Sequence, residues 1–192
     1  MTSKKEKILQ TALELFTEQG FKATTTKEIA LKSGVAEGLI FYYFKDKNEL
    51  LHQLTREFSF IETISKEIKE LSVLEPHQAL IKIGHFYSDF LSQNKNFLFF
   101  IWSPEMIQSK EVSKEVVELI QSMFSQISMH LARAVKKSVN EQSIQIAASM
   151  YLSTLFTHFI VEVRTSENLH QDTQQYIESV VDLILKGLQG SH

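Results

Sequence analysis

The stretch that decides the fold runs from residue 25 to residue 47 and reads TTKEIALKSGVAEGLIFYYFKDK. It opens with Thr25 and has Glu28 three residues later, which is the capping-box pattern of a helix N-terminus. Gly34 allows a tight turn after that helix, and a further short helix is predicted over residues 36–44. Two short helices joined by a glycine turn are the geometry of a helix-turn-helix, whose second helix can lie in the major groove of DNA.

The residues before this stretch predict another helix, packed behind the pair. Ile8, Ala12, Leu15 and Phe16 form an apolar stripe at helical spacing, and Gly20 ends the helix. A small core is expected from the apolar residues of the three helices, namely Phe16, Phe21, Ile29, Ala30, Val35, Ile40 and Phe44.

Composition indicates a globular chain of 192 residues, since 43% of them are hydrophobic and 22% are charged. The chain has no cysteine, which excludes disulfide scaffolds and thiolate metal sites. The net charge of −3 does not favour a nucleic-acid ligand, yet residues 1–50 hold eight lysines and seven acidic residues, for a net of +1. The charged N-terminal segment does not have the apolar stretch of a secretion signal, which predicts a cytoplasmic protein.

Helical spacing continues along the chain and predicts an all-α fold of about nine helices. A long helix is expected to start at Lys47, with an apolar stripe of Leu50, Leu54, Phe58, Ile61, Ile68 and Leu71. The later helices are predicted from Pro76, over 94–102, over 110–137, over 143–165 and over 172–188.

Residues 142–161 contain no charged residue and are long enough to span a bilayer. They include eight polar side chains, which lipid would penalise. The sequence therefore favours a helix buried on most sides by protein over a membrane span.

Residues 4–51 resemble the N-terminal domain of the TetR family of transcriptional regulators. The resemblance rests on residue types at fixed spacing, namely Ala12-Leu13-Glu14-Leu15-Phe16, Gly20-Phe21, Ala23-Thr24-Thr25, Glu28-Ile29-Ala30, Gly34-Val35, Gly38, Tyr42-Tyr43-Phe44-Lys45-Asp46-Lys47 and Glu49-Leu50-Leu51. It implies a three-helix helix-turn-helix domain over residues 1–47 and a larger helical domain for ligand binding and dimerisation over residues 48–192. It also implies a homodimeric repressor that binds a palindromic operator and is released by a small, mostly apolar effector.

The resemblance implies DNA contacts from both helices of the helix-turn-helix and from the start of the long helix that follows. Thr25 and Thr26 lie at a helix N-terminus, where N–H groups and hydroxyls can bind phosphate, although a capping role alone also suits Thr25. Lys47 resembles the family's lysine that meets phosphate. The expected DNA-contacting residues are Thr25, Thr26, Lys27, Ala36, Glu37, Gly38, Leu39, Phe41, Tyr42, Tyr43 and Lys47.

Four of these positions, Ala36, Glu37, Leu39 and Phe41, depart from the residues that the family often has. Phe41 does not carry the hydroxyl that a tyrosine would offer to phosphate, and Glu37 would repel a phosphate. Glu37 could instead accept a hydrogen bond from cytosine N4, and Leu39 could touch a thymine methyl. A solvated Glu37 and a locally packed Leu39 are equally compatible with the sequence.

Beyond residue 51 the resemblance is one of length and helix layout. In the family the last two helices pair with their mates, which makes Leu155, Phe159, Val181 and Ile184 predicted anchors of a dimer interface. An apolar effector pocket between helices would be lined by Phe86, Phe90, Trp102, Met123, Phe124, Phe156, His158 and Phe159. Ordinary core packing would explain the same residues, so pocket and core stay alternatives.

Two other functions compete with a regulator. Two Glu-x-x-His motifs, at residues 49–52 and 167–170, resemble those of di-metal carboxylate bundles and would indicate an enzyme. The first motif lies at the start of a helix and the second in a predicted turn, which does not favour a shared metal. A helix-turn-helix fold used for protein contacts is the other alternative, supported by Glu37 and the net charge. The favoured interpretation is a regulator, not an enzyme, with no cofactor and no membrane partner.

Overall fold

The structure is a computed structural model that describes residues 3–57, 71–135, 139–165 and 173–190. These residues contain helices and no strand, which confirms the predicted all-α fold. The helices with defined bounds are α1 (Lys4–Gln19), α2 (Thr26–Ser33), α3 (Glu37–Tyr43), α4 (Lys47–Glu57), α5 (Pro76–Gln93), α6 (Lys95–Ile101), α7 (Pro104–Gln108), α8 (Lys110–Ala134), α9 (Glu141–Arg164) and α10 (Thr173–Gln189). Pro104 begins the short helix α7, because proline suits the first turn of a helix.

Two compact units make up the chain. Unit 1 consists of Met1–Ser59 and Asn94–Glu118, and unit 2 consists of Phe60–Gln93 and Leu119–His192. The predicted division into a DNA-binding domain of residues 1–47 and an effector domain of residues 48–192 is one of function, and it stays a prediction. The predicted apolar positions Phe58, Ile61 and Ile68 lie outside the described residues.

In unit 1 the helix α2 begins at the predicted capping box and ends at the predicted glycine turn. Glu28 N donates to Thr25 Oγ1 at 3.2 Å and Thr25 N donates to Glu28 Oε2 at 2.8 Å, which confirms the predicted capping box. The backbone and hydroxyl hydrogen bonds of Thr25 lower the pKa of Glu28. Gly34 then adopts a left-handed conformation with φ of 67°, which glycine reaches without a steric cost.

The core of unit 1 forms where α1 packs against α2, α4 and α6. Most of the predicted core residues are buried, with Phe21 and Val35 half-buried. The ring of Phe16 also stacks on Phe100 of α6, with 5.5 Å between centroids. Residues 94–118 therefore complete the core behind the helix-turn-helix, which the local sequence pattern does not predict.

Unit 2 is built on the mutual packing of α5, α9 and α10. The hydroxyl of Tyr151 on α9 donates to the carbonyl of Leu80 on α5 at 2.6 Å, and burial raises the pKa of that hydroxyl. The close approach of these helices is possible because α5 has Gly84 at the contact, beside Tyr151 and Ile177 of α10. A missing side chain on one helix thus makes room for large ones on the other two.

Among the described helices, α9 is the one long and apolar enough to cross a membrane by length and composition. One face of it packs in unit 2, but only 33% of its most apolar window is buried. The prediction of burial on most sides is therefore wrong for the single chain. The uncovered face carries Ile146, Met150, Ser153, Thr157 and Val161.

Gly84→Ala is expected to lower the free energy of unfolding by about 1–3 kcal/mol, because cores tolerate added volume poorly. A β-carbon there would lie 2.5 Å from Tyr151 Oη and 2.6 Å from Ile177 Cγ2. The control is Gly38→Ala, where the new β-carbon meets no atom within 4 Å. Helix propensity alone should make that control more stable by roughly 0.5–1 kcal/mol. Urea unfolding measures both, and a stabilised Gly84→Ala variant would contradict the packing described here.

Candidate nucleic-acid interface

The second helix of the helix-turn-helix, α3, presents most of its surface to solvent. Ile40 is buried within unit 1, whereas Phe41 is 51% exposed and Tyr42 is 79% exposed. The Tyr42 ring meets Tyr43 edge to face at 5.2 Å between centroids, and most of the Tyr42 side chain stays exposed to solvent. Large aromatic side chains are costly to leave wet, which makes this face a candidate contact surface.

The N-terminus of α2 is the second element of the candidate interface. Thr25 is exposed, but its hydroxyl is engaged with Glu28, accepting from Glu28 N and donating to Glu28 Oε2 at 2.8 Å. The predicted capping role of Thr25 is therefore confirmed. Lys27 is exposed in the first turn of the helix. A helix N-terminus carries partial positive charge, which suits the phosphate of a DNA backbone.

The two helices are linked at the candidate interface by a hydrogen bond. Thr26 Oγ1 donates to Glu37 Oε1 at 2.7 Å, from the first residue of α2 to the first residue of α3. Glu37 is thus half-buried, and the hydrogen bond from Thr26 orients its carboxylate. Leu39 is half-buried as well, so its packing and its possible base contact remain compatible.

Lys47 does not stand free at the surface as a predicted phosphate ligand would. Its Nζ donates to the carbonyls of Phe21 and Thr24 at 2.8 Å each, with the Lys22 carbonyl at 3.4 Å. The ammonium also lies 4.4 Å from the centroid of the Phe21 ring. Partial burial lowers the pKa of Lys47, and the carboxylates of Glu105 and Glu28 oppose that shift. Lys47 thus binds carbonyls of its own unit, and its contact with phosphate stays a prediction.

Glu105 binds the same turn from the other side, and sequence reasoning missed it. Its Oε2 accepts from Phe21 N and its Oε1 accepts from Lys22 N, both at 2.9 Å. Glu105 is the second residue of α7, far along the chain from the turn. No local signal marks it, because the bonds join residues more than eighty positions apart.

The structure does not gather the predicted effector-binding residues in one described cavity. Trp102 lies in unit 1 and is 53% exposed, and its effector role stays a prediction. Phe124 borders a groove of about 560 Å³ between α8 and α9. The remaining aromatic and methionine candidates are buried or half-buried in unit 2, where the pocket and core interpretations stay open: Phe86, Phe90, Met123, Phe156 and Phe159.

His158 has protein neighbours that make an effector-binding role unnecessary. Its ring stacks on Tyr176 of α10, with 4.0 Å between centroids and 14° between planes. Its Nε2 lies 3.2 Å from Glu162 Oε1, close enough for an ion pair but not aligned as a hydrogen bond. This packing is that of a histidine within a helix bundle, although an effector role stays a prediction.

Three of the four predicted dimer anchors are core residues of unit 2. Leu155 and Phe159 are each 3% exposed and Val181 is 1% exposed within the single chain, because α9 and α10 bury them against each other and α5. These three side chains therefore keep little surface for a partner, and their role as dimer anchors stays a prediction. Ile184 is half-buried and keeps some surface for a partner.

The Glu-x-x-His motifs do not assemble a metal site among the described residues. No three His, Asp or Glu side chains there come together as metal ligands. His52 of the first motif instead lies 2.6 Å from Glu115, through its Nδ1 and the Oε1 of the glutamate. The second motif, at residues 167–170, lies outside the described residues.

Comparison with known proteins agrees with the geometry. Residues 8–54 match the family described as bacterial regulatory proteins, tetR family. The HTH-type transcriptional regulator YvkB of Bacillus subtilis (strain 168) is 28% identical, over 95% of this chain and 96% of that protein. The fatty acid metabolism regulator protein of the same organism is 25% identical, over 94% and 93%.

A solved structure has the same fold. The crystal structure of the transcriptional regulator FadR from Bacillus subtilis in complex with stearoyl-CoA superimposes with a TM-score of 0.71. That match covers 95% of this chain and 98% of the other, at 19% identity. The relatives are transcriptional regulators, and the resemblance of residues 4–51 is matched by a helix-turn-helix in the structure. Residues 8–54 thus match the DNA-binding domain of the tetR family of bacterial regulatory proteins, and the chain as a whole is similar to transcriptional regulators.

Proposed function

We propose that this regulator is a cytoplasmic repressor that binds a palindromic operator as a homodimer and is released by a small, mostly apolar effector. Residues 1–47 would bind DNA, and residues 48–192 would bind the effector and the second chain. The observation that carries the proposal is the outer face of α3, where Phe41 and Tyr42 are exposed beside the N-terminus of α2. A helix of this kind can enter the major groove while its neighbour contacts the backbone.

The proposed division of labour follows the surroundings of each side chain. Tyr42 and Tyr43 would contact the sugar-phosphate backbone, as would Lys27 and the N–H groups that begin α2. Glu37 would face base edges and accept from a cytosine amino group, since Thr26 already orients one of its oxygens. Ala36, Gly38 and Leu39 would let the helix approach the bases closely, because none of them carries a long polar side chain.

Selection of bound duplexes from a random library tests this proposal. We expect an enriched inverted repeat, because two recognition helices related by a two-fold axis contact two half-sites. Affinity should fall steeply with salt, since bound phosphates release counterions. A library that yields no enriched sequence with the wild-type protein would overturn operator binding.

Tyr42→Ala is expected to weaken binding of the selected duplex by about 1–3 kcal/mol, or roughly tenfold to a hundredfold. The change removes an exposed ring with no core role, so the melting temperature should not move. Phe99→Ala is the matched control, because Phe99 is an exposed aromatic residue of α6. Fluorescence anisotropy with a labelled duplex measures both. Equal affinities of wild type and Tyr42→Ala would remove Tyr42 from the interface.

The proposed dimer interface is the uncovered face of α9 together with α10. Ile146 is 52% exposed and Met150 is 56% exposed, and both lie on the outer stripe of α9. Leu183 of α10 is 71% exposed. A second copy of the chain is the occupant that the family's arrangement supports, with the last two helices of each subunit forming a four-helix interface. Burial of these side chains would supply the apolar area that such an interface needs.

The proposed apolar part of the effector is a long acyl chain, and the effector proposed to carry it is a long-chain acyl-CoA. The fatty acid metabolism regulator is similar over almost the whole of both chains, and the structurally similar FadR holds stearoyl-CoA. The apolar and aromatic side chains of unit 2 support an effector with a long hydrocarbon part. Release from the operator requires that the effector bind the DNA-free arrangement better than the DNA-bound one.

A further inference from the structure

The turn between α1 and α2, residues 20–24, is held by side chains of opposite charge from two other helices. Its N–H groups at Phe21 and Lys22 donate to the Glu105 carboxylate. Its carbonyls at Phe21 and Thr24 accept from the Lys47 ammonium. Hydrogen bonds to ionised groups are stronger than neutral ones, so these contacts fix the path of the turn more firmly than solvent would.

The turn sets the position of α2, because Thr25 follows it directly and caps the helix. Thr24 is buried, and its hydroxyl donates to the carbonyl of Gly20 at 2.8 Å. Gly20 has φ of 90°, and a β-carbon there would lie 3.2 Å from Glu105 Oε2. The close approach of the carboxylate thus uses a residue without a side chain. A change at Glu105 would alter the turn and, through it, the N-terminus of α2.

We propose that Glu105 is a positioning residue for operator binding, which holds the N-terminus of α2 at the distance from α3 that the operator requires. The proposal rests on the proposed operator binding. Glu105 lies outside the helix-turn-helix segment, and its two carboxylate oxygens are already occupied by N–H groups of the turn. It therefore acts on DNA through the backbone it binds, with no direct contact to the duplex.

The direction in which Glu105→Gln changes the affinity for DNA distinguishes a positioning role of Glu105 from a purely electrostatic one. Glu105→Gln removes a negative charge, which by electrostatics alone would strengthen binding to any duplex. A glutamine amide also offers one acceptor oxygen where the carboxylate offers two, so one N–H of the turn is left facing an NH2 group. Positioning predicts the opposite result for the selected operator, namely a loss of at least tenfold.

The experiment compares wild type, Glu105→Gln and the control Glu118→Gln on two duplexes. Glu118 is an exposed carboxylate of α8, so its variant makes the same charge change away from the turn. We expect Glu105→Gln to bind the selected operator at least tenfold more weakly and a scrambled duplex no more weakly than wild type. The control should bind neither duplex more weakly than wild type, because it makes only the charge change. Amide NMR shifts of Phe21, Lys22 and Thr26 should move in Glu105→Gln alone.

Each other outcome overturns a defined part of this argument. If wild type binds its selected operator and Glu105→Gln binds it equally well, the positioning role falls while operator binding stands. If Glu105→Gln loses affinity for both duplexes in parallel with a large drop in melting temperature, Glu105 is a stability residue only. If wild type does not distinguish the selected from the scrambled duplex, the proposed function fails and the positioning role fails with it.

Discussion

Met150→Glu should give a monomer that binds the selected operator at least a hundredfold more weakly than wild type. Met150 is more than half exposed near the middle of the outer stripe of α9, with Ile146 one turn before it and Ser153 one turn after it. At a two-fold interface the new carboxylates of both chains would be buried without partners, which costs several kcal/mol. Loss of the dimer removes the second half-site contact, which can contribute a factor of about 100–10,000 in avidity.

Light scattering measures the mass of the protein and fluorescence anisotropy measures its operator affinity, on the same samples. Val117→Glu is the matched control, because Val117 is an exposed apolar residue of α8 in unit 1. It should leave both mass and affinity unchanged. Leu155→Ala tests whether Leu155, a dimer anchor predicted from sequence, belongs to the interface or to the core. It should lower the free energy of unfolding by about 2–5 kcal/mol while the protein stays dimeric, because Leu155 is in the core. A Met150→Glu variant that remains dimeric would refute this face.

The local part of the fold could be predicted from sequence because its causes are local. The bonds between Thr25 and Glu28 join residues that are three positions apart. Gly34 ends α2 in a left-handed backbone conformation, which glycine adopts at no steric cost. Ile29 and Ile40 are buried as the apolar spacing predicts. Signals of this kind are complete within a few positions, so the helix-turn-helix could be inferred without any tertiary contact.

The contact between Glu105 and the turn of residues 20–24 could not be predicted, because it joins segments that are distant in the sequence. Five of the described helices, α2 to α6, lie between the turn and Glu105 in the sequence, and the residues beside Glu105 do not indicate its partner. On α9 the difficulty is different. Apolar residues occur on nearly every side, so periodicity does not separate the buried Leu155 and Phe159 from the exposed Ile146 and Met150.

Stearoyl-CoA should bind the free dimer 10–100 times more tightly than the dimer on its operator. A ligand shifts the equilibrium between two arrangements only by its difference in affinity for them, and this factor corresponds to about 1.4–2.8 kcal/mol. Helix α8 offers a physical route, because its first residues belong to unit 1 and its residues from Leu119 onward belong to unit 2. By reciprocity the operator must weaken acyl-CoA binding by the same factor that acyl-CoA weakens operator binding.

Calorimetric titration of stearoyl-CoA into the protein, with and without the selected operator, measures the coupling directly. Coenzyme A without the acyl chain is the control, and it should bind weakly and leave operator affinity unchanged, because the hydrocarbon supplies most of the buried apolar area. A shorter chain, as in octanoyl-CoA, should fall between the two. Equal stearoyl-CoA affinities in the two states would mean a bound ligand that does not release DNA. No binding at all would rule out an acyl-CoA effector and leave the aromatic residues of unit 2 as plain core.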